Sequence, residues 1–132
     1  MIFHVWFATR RRKWLLLGDV EQAVKGWLRR AAAEKGIDLL ACETVVDHVH
    51  LLLRLAGSRE LPNALRLLKG RTSWEVFREF PELKLDASTS SLWQRGYAFR
   101  EVEPGSIHNR LRYIRSQKDR LGGFAERRRL GV

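Results

Sequence analysis

The sequence is short of cysteine, of long apolar runs and, beside its basic residues, of acidic ones. Cys42 is the only cysteine in 132 residues. A lone thiol cannot close an intramolecular disulfide, so there is no disulfide framework, and a reducing cytoplasm is the expected home. No apolar run approaches the roughly 18 residues of a membrane-spanning helix, so no spanning segment is expected. The opening Ile2-Phe3-His4-Val5-Trp6-Phe7 is largely apolar, but its basic residues follow it. A signal peptide has the reverse order. Aspartate and glutamate number 15 against 25 lysines and arginines, a net charge of +10. Such a surplus on a small domain favours a polyanionic partner, nucleic acid first and an anionic membrane surface second. No strongly basic amphipathic helix with an aromatic face stands out, which argues against the membrane. A soluble basic protein with no such partner is the plainer alternative.

What is present is an ordinary globular balance, 45% hydrophobic and 30% charged residues. A domain near this size buries roughly two-thirds of its unfolded surface, enough for a core without staples. There is no internal repeat and no dividing linker. One domain is expected over residues 1–123, followed by a basic tail over 124–132 that carries Arg127-Arg128-Arg129.

Periodicity orders the elements. Residues 2–9 are β-branched and aromatic and predict a buried strand. Asp19 is placed to cap a helix to about Lys35, with Val20, Val24, Trp27, Leu28 and Ala31 on one face and Gly36 as its stop. Residues 37–46 and 47–55 predict two further strands. Gly57-Ser58 breaks the second, with Ser58 as a candidate cap for a helix over 59–79. Gly70 weakens its middle by about 1 kcal/mol relative to alanine. Pro81 closes it, and residues 82–91 read as a loop. Residues 92–102 alternate, with Trp93, Arg95, Tyr97, Phe99 and Glu101 on one side, and predict a fourth strand. Pro104-Gly105-Ser106 opens a last helix to about Arg120, which Gly122-Gly123 ends. The order β-α-β-β-α-β-α predicts an α+β fold, a ferredoxin-like antiparallel sheet backed by helices, plus a C-terminal helix.

The chemistry centres on Asp47-His48-Val49-His50-Leu51-Leu52-Leu53. In a strand, alternate side chains share a face, so His48 and His50 point together and Val49 points away. Two imidazoles on one face make half of a divalent-metal site. Two histidines on the wet face of a half-exposed strand are the plainer alternative. On the last helix, Ile107, Leu111, Ile114 and Leu121 form the core stripe, and Tyr113 and Gln117 stack four residues apart at its boundary with solvent. Arg110 and Arg120 extend that edge. A tyrosine that packs and a glutamine that faces water would explain this equally simply.

Combined with His48 and His50, the pair gains a purpose. An amide oxygen suits hard cations such as Mg²⁺ or Mn²⁺ better than Zn²⁺. Two imidazoles and an amide leave positions open for water and a phosphate oxygen. A phenol, with a pKa of about 10, is a poor nucleophile at neutral pH. A cation that neutralises charge on the non-bridging oxygens supplies most of the help. Attack by Tyr113 would store the phosphodiester energy in a phosphotyrosine link, with no ATP or other nucleotide cofactor. His4 reads as a strand histidine satisfied by a neighbour. Asp47 reads as a partner of the first histidine, as a carboxylate close to the DNA or, more simply, as a strand-end aspartate. His108 falls on the solvent side of the last helix. Arg10, Arg11, Arg12, Arg66, Lys69 and Arg71 are candidate phosphate ligands, although most surface arginines meet only water.

These residues also carry a resemblance. The sequence resembles the single-tyrosine HUH transposases of the insertion sequence 200/605 family (His, hydrophobic, His). The strings, in order, are His4-Val5-Trp6-Phe7-Ala8-Thr9, Val46-Asp47-His48-Val49-His50-Leu51-Leu52, Leu68-Lys69-Gly70-Arg71-Thr72-Ser73, Leu92-Trp93-Gln94-Arg95-Gly96-Tyr97 and Tyr113-Ile114-Arg115-Ser116-Gln117. Each string alone is modestly specific; five in order are strong. The resemblance implies a ferredoxin-like catalytic domain working as a homodimer, with active sites often shared between subunits. It implies Tyr113 as nucleophile and Mg²⁺ or Mn²⁺ held by His48, His50 and Gln117. The implied substrate is single-stranded DNA with hairpins near the element ends, cut to leave a 5′-phosphotyrosine and a free 3′-OH. Gln117 favours this group over related tyrosine transposases acting on repeated palindromes. Tyr97, the other tyrosine, has no ligand at i+4. Two alternatives remain: a hairpin-DNA-binding protein of the same fold that does not cleave, and a metal-dependent hydrolase using water.

Overall fold

The computed structural model describes residues 1–87 and 91–117, without the side chains of 85–87. The expected helix end at Arg120, the Gly122-Gly123 stop and the tail over 124–132 lie outside the described residues. Seven elements run β1 (Ile2–Ala8), α1 (Gly18–Glu34), β2 (Asp38–Val45), β3 (His48–Arg54), α2 (Leu61–Glu79), α3 (Glu82–Ala87) and β4 (Ala98–Val102). An eighth, α4, is helical over 107–117. The strands form one sheet in the order β2-β3-β1-β4, each neighbour antiparallel. This order is the ferredoxin-like one: each helical crossover returns its strand one place away, and a third strand fills the gap.

Alternation sorts the strands onto two faces. Phe3, Val5, Phe7, Val49, Leu51 and Leu53 point to the side covered by α1 and α2, where Val24, Leu28, Leu65, Leu68 and Val76 meet them. On the other side, Ile2, Leu52 and Val102 pack under Ile114 of α4, with Ile107 and Leu111 half-buried beside them. The two central strands are therefore covered on both sides at one end. Towards the other end of the α4 side a cleft lies against the sheet, and the histidines line it.

Four details differ from expectation. Leu17, not Asp19, occupies the N-cap of α1 and makes no side-chain cap; Asp19 and Glu21 lie in the first turn, where their charge meets the positive helix end. Ser58 does not cap α2 but begins a 3₁₀ turn, Ser58–Glu60, ahead of it. Residues 82–87 are helical rather than a loop: Pro81 ends α2, yet Leu83 is drawn into the core and its N–H bonds the Phe80 carbonyl at 3.1 Å. The fourth strand starts only at Ala98. Before it, Gly96 takes a φ of 84°, a left-handed conformation that strand geometry excludes. The Lys69 ammonium donates to the carbonyls of Gln94 and Gly96 at 3.0 and 2.8 Å. The indole of Trp93 is buried and donates to the Lys69 carbonyl at 3.1 Å. Alternation in 92–97 thus marks a pinned loop that keeps one bridge to β1, Thr9 to Trp93.

Candidate functional site

The cleft side of the sheet is built by register. Trp6 lies opposite His50 and Ala8 opposite His48 on the central pair, while His4 and Trp6 face Arg100 and Ala98 on β4. His4, Trp6, His48 and His50 therefore share the side away from α1 and α2. The β2–β3 connection is a tight turn at Val46 and Asp47, with Val46 at a φ of 29°. A β-branched residue there is strained. Neighbours hold it: Leu16 N–H donates to the Val46 carbonyl at 2.9 Å, and Thr9 donates to the Asp47 carbonyl from its N–H at 2.8 Å and its hydroxyl at 3.2 Å. The turn fixes where β3 begins and hence where its first histidine stands.

Each histidine of the pair is held by its Nδ1. His48 Nδ1 lies 2.8 Å from the Asp47 carboxylate, whose other oxygen accepts from Arg12 Nε at 3.1 Å. A carboxylate can only accept, so His48 carries its proton on Nδ1 and turns Nε2 outward. Of the three readings of Asp47, the hydrogen bond bears out the partner of the first histidine. His50 Nδ1 lies 2.8 Å from His4 Nε2. His4 is 2% and His50 7% exposed, and His50 Nε2 and His4 Nδ1 are buried without a hydrogen-bond partner. Burial, reinforced by His48 and His4, pushes His50 down to about pH 3. Burial, then Arg110 and Arg100, pushes His4 down to about 4. At neutral pH both are uncharged and keep one nitrogen lone pair each, the form that can ligate a metal.

These side chains line a cleft of about 640 Å³ that also takes in Tyr113, Gln117 and Arg110 of α4. Ile114, 2% exposed, docks the helix on the sheet. Tyr113 stands one position earlier, 48% exposed, with the Arg110 guanidinium 5.7 Å from its ring centroid. Gln117 is half-buried one turn on. The expected His48, His50, Tyr113 and Gln117 thus line one cleft of a single chain. Among the described residues no group of three or more His, Cys, Asp and Glu converges for a metal, and His4 Nε2 is engaged by His50.

The candidate phosphate ligands scatter. Arg12 lines the cleft, together with Arg95, Arg100 and Arg110, which were not among the candidates. Arg10, Arg66 and Lys69 line a neighbouring groove of about 500 Å³ with Trp93 and Tyr97, and the two share the 94–97 loop. Burial lowers the Lys69 pKa, and its ammonium is engaged by the loop carbonyls. Arg71 pairs with Glu34 at 2.8 Å and Glu75 at 3.2 Å and lines neither cleft, nor does exposed Arg11. His108 is exposed and meets Arg112 at 3.0 Å, away from the site as expected. His4 is, as expected, a strand histidine satisfied by a neighbour, and that neighbour is His50. Its even position in the first strand was legible, but the strand pairing that sets it against His50 was not.

With this geometry in place, likeness to known proteins can be stated. The model of a family described as "Transposase IS200 like" matches residues 1–117. A Deinococcus radiodurans protein, ISDra2 transposase TnpA, is 30% identical over 118 residues, covering 89% of this chain and 84% of that one. The transposase of insertion sequence element IS200 from Salmonella typhimurium is 30% identical over 95 residues, 72% of this chain and 62% of that protein. A crystal structure from Deinococcus radiodurans, described as a transposase, superposes with a TM-score of 0.71 at 31% identity, covering 89% of this chain and 90% of the other. A REP-associated tyrosine transposase bound to a REP hairpin superposes at 0.60 with 13% identity, covering 86% of this chain and 63% of the other, a likeness of fold.

Proposed function

The chain belongs to the IS200-like transposase family, and from that premise we propose that it cuts and rejoins single-stranded DNA through a covalent bond to Tyr113. The observation that carries the reading is the single cleft lined by Tyr113, Gln117, His48 and His50. The Tyr113 Oη attacks the scissile phosphorus, loses its proton, and expels the 3′-oxygen of the neighbouring nucleotide. A 5′-phosphotyrosine and a free 3′-OH result. In the reverse direction, a 3′-OH from another end attacks the phosphotyrosine and releases the tyrosine. No net energy is consumed, so no nucleotide cofactor is needed.

The residues fit a hard divalent cation, Mg²⁺ or Mn²⁺. His48 presents Nε2 because Nδ1 is taken by Asp47, and His50 has a buried Nε2 with no partner. Gln117 brings an amide to the same cleft. When bound, such a cation neutralises charge building on the non-bridging oxygens. The chain's own part is to present the two imidazoles, to hold Tyr113 in the same cleft on a helix docked by Ile114, and to draw phosphate in with Arg12, Arg95, Arg100 and Arg110. The homodimer, the sharing of active sites between its subunits and the hairpin form of the substrate follow from the family resemblance. The complete set argues against a hairpin-binding protein that does not cleave.

The test is a labelled single strand from the element end, incubated with the protein and Mn²⁺. Wild type should form a covalent protein–DNA adduct and Tyr113→Phe none. Cleavage without an adduct would favour water as nucleophile, and an undiminished adduct in Tyr113→Phe would remove the assignment.

A further inference from the structure

Two buried nitrogens in the cleft have no partner, His50 Nε2 and His4 Nδ1, and their rings share one hydrogen bond of 2.8 Å. A neutral imidazole carries one N–H, so one proton lies in that bond. Two arrangements exist. If His50 Nδ1 donates to His4 Nε2, His50 Nε2 keeps its lone pair and His4 carries its proton on Nδ1. If His4 Nε2 donates instead, His50 carries its proton on Nε2 and cannot ligate a cation. The choice of tautomer at His4 therefore decides whether His50 can serve.

We propose that His4 is a positioning residue of the cation site: it accepts the Nδ1 proton of His50 and so keeps His50 Nε2 free to bind a divalent cation. The inference rests on the metal reading above. Three features support it. The two rings are the most enclosed polar groups of the cleft, 2% and 7% exposed, so water does not compete for the shared bond. His4 is braced by Trp6, whose ring centroid lies 4.8 Å away, and Trp6 is flanked by the Arg100 guanidinium at 5.8 Å. Asp47 performs the same office for His48, accepting from Nδ1 on the other side of the pair. Partners that orient a ligating histidine in this way change metal affinity by 10- to 100-fold in general.

The two orienting groups differ in kind. A carboxylate fixes the His48 tautomer unconditionally. An imidazole can reverse, so the cation-free His4–His50 pair can hold its proton either way, and binding selects one. His4 also emerges from binding as an Nδ1–H donor. The cation site thus extends onto β1, one strand beyond its ligands.

The experiment is a Mn²⁺ titration of the full chain, following loss of the free-ion electron-spin-resonance signal, for wild type, His48→Ala, His4→Gln and His4→Phe. Glutamine keeps an acceptor at the reach of Nε2; phenylalanine keeps the ring and removes it. Mn²⁺ affinity should fall about 10- to 100-fold in His4→Phe and stay within about threefold of wild type in His4→Gln. Equal affinity in His4→Phe and wild type, with loss in His48→Ala, would overturn the role of His4 and leave the metal reading standing. Wild type that binds no Mn²⁺ would overturn both. Nitrogen-15 spectra of the wild-type imidazoles with Mg²⁺ serve if His4→Phe does not fold. They should show His50 protonated on Nδ1 and His4 on Nδ1; a proton on His50 Nε2 would overturn the proposal.

Discussion

At the scale of the residue, two buried imidazoles of the cleft stay uncharged at neutral pH. His4 and His50 resist protonation down to about pH 4 and 3, against 6.5 in an unfolded chain. The sign follows directly. Below 6.5 the unfolded chain takes up protons the native state refuses, so the stability both histidines confer is present above that pH and lost as pH falls through 6.5 towards 4 and 3. The cation-free protein should lose stability of order 1–2 kcal/mol per histidine between pH 7.5 and 5, read from urea midpoints at the two values. A midpoint unmoved over that range would mean the rings are not shielded from protons. His48→Ala and His50→Ala should each abolish cleavage yet leave hairpin affinity within about threefold of wild type, since the loss of a ligand spares the arginines. An equal fall in hairpin binding would make the histidines structural. The shared face of His48 and His50, and of Tyr113 and Gln117, was legible in spacing alone. The neighbour that satisfies His4 was not, because a hydrogen bond between residues 46 positions apart depends on pairing.

At the scale of the element, α4 matters most. Ile114 is its buried anchor, resting on Ile2, Leu52 and Val102. Ile114→Ala should cost about 2–5 kcal/mol and weaken the hold on Tyr113, so cleavage should fall more than DNA binding. An unaltered cleavage rate at full DNA occupancy would show that the helix is placed by something else. The helical stripe of Ile107, Leu111 and Ile114 was readable because a period of 3.6 declares itself locally. The first three strands were readable because their composition and their period of two are equally local. The fourth was overextended: 92–97 alternates as a strand does, but Gly96 in a left-handed conformation and the reach of Lys69 to two carbonyls make it a loop. The α3 turn was missed because its pull comes from Leu83 entering a core that only the folded chain possesses.

At the scale of the molecule, charge and shape converge on one side. Four arginines line the main cleft and three line the groove beside it with Lys69, Arg95 being common to both. Single-stranded DNA binding should weaken with salt, its logarithmic slope near −0.7 for each phosphate neutralised. A flat salt response in a binding titration would contradict the electrostatic account. Among the described residues no helix is long and apolar enough to cross a membrane. The class of fold and its strand sequence followed from element order, whereas the choice of arginines did not. Arg95, Arg100 and Arg110 reach the cleft through the path of β4 and the docking of α4, and only Arg110 had a local sign, three residues from Tyr113.

The central claim is that Tyr113 takes the DNA onto itself. The most direct measurement is the mass of the peptide left bearing a nucleotide remnant after wild-type protein has reacted with a single-stranded end in Mn²⁺ and both have been digested. The remnant should sit on Tyr113. A remnant on Tyr97, or cleaved DNA with no modified peptide, would contradict the account.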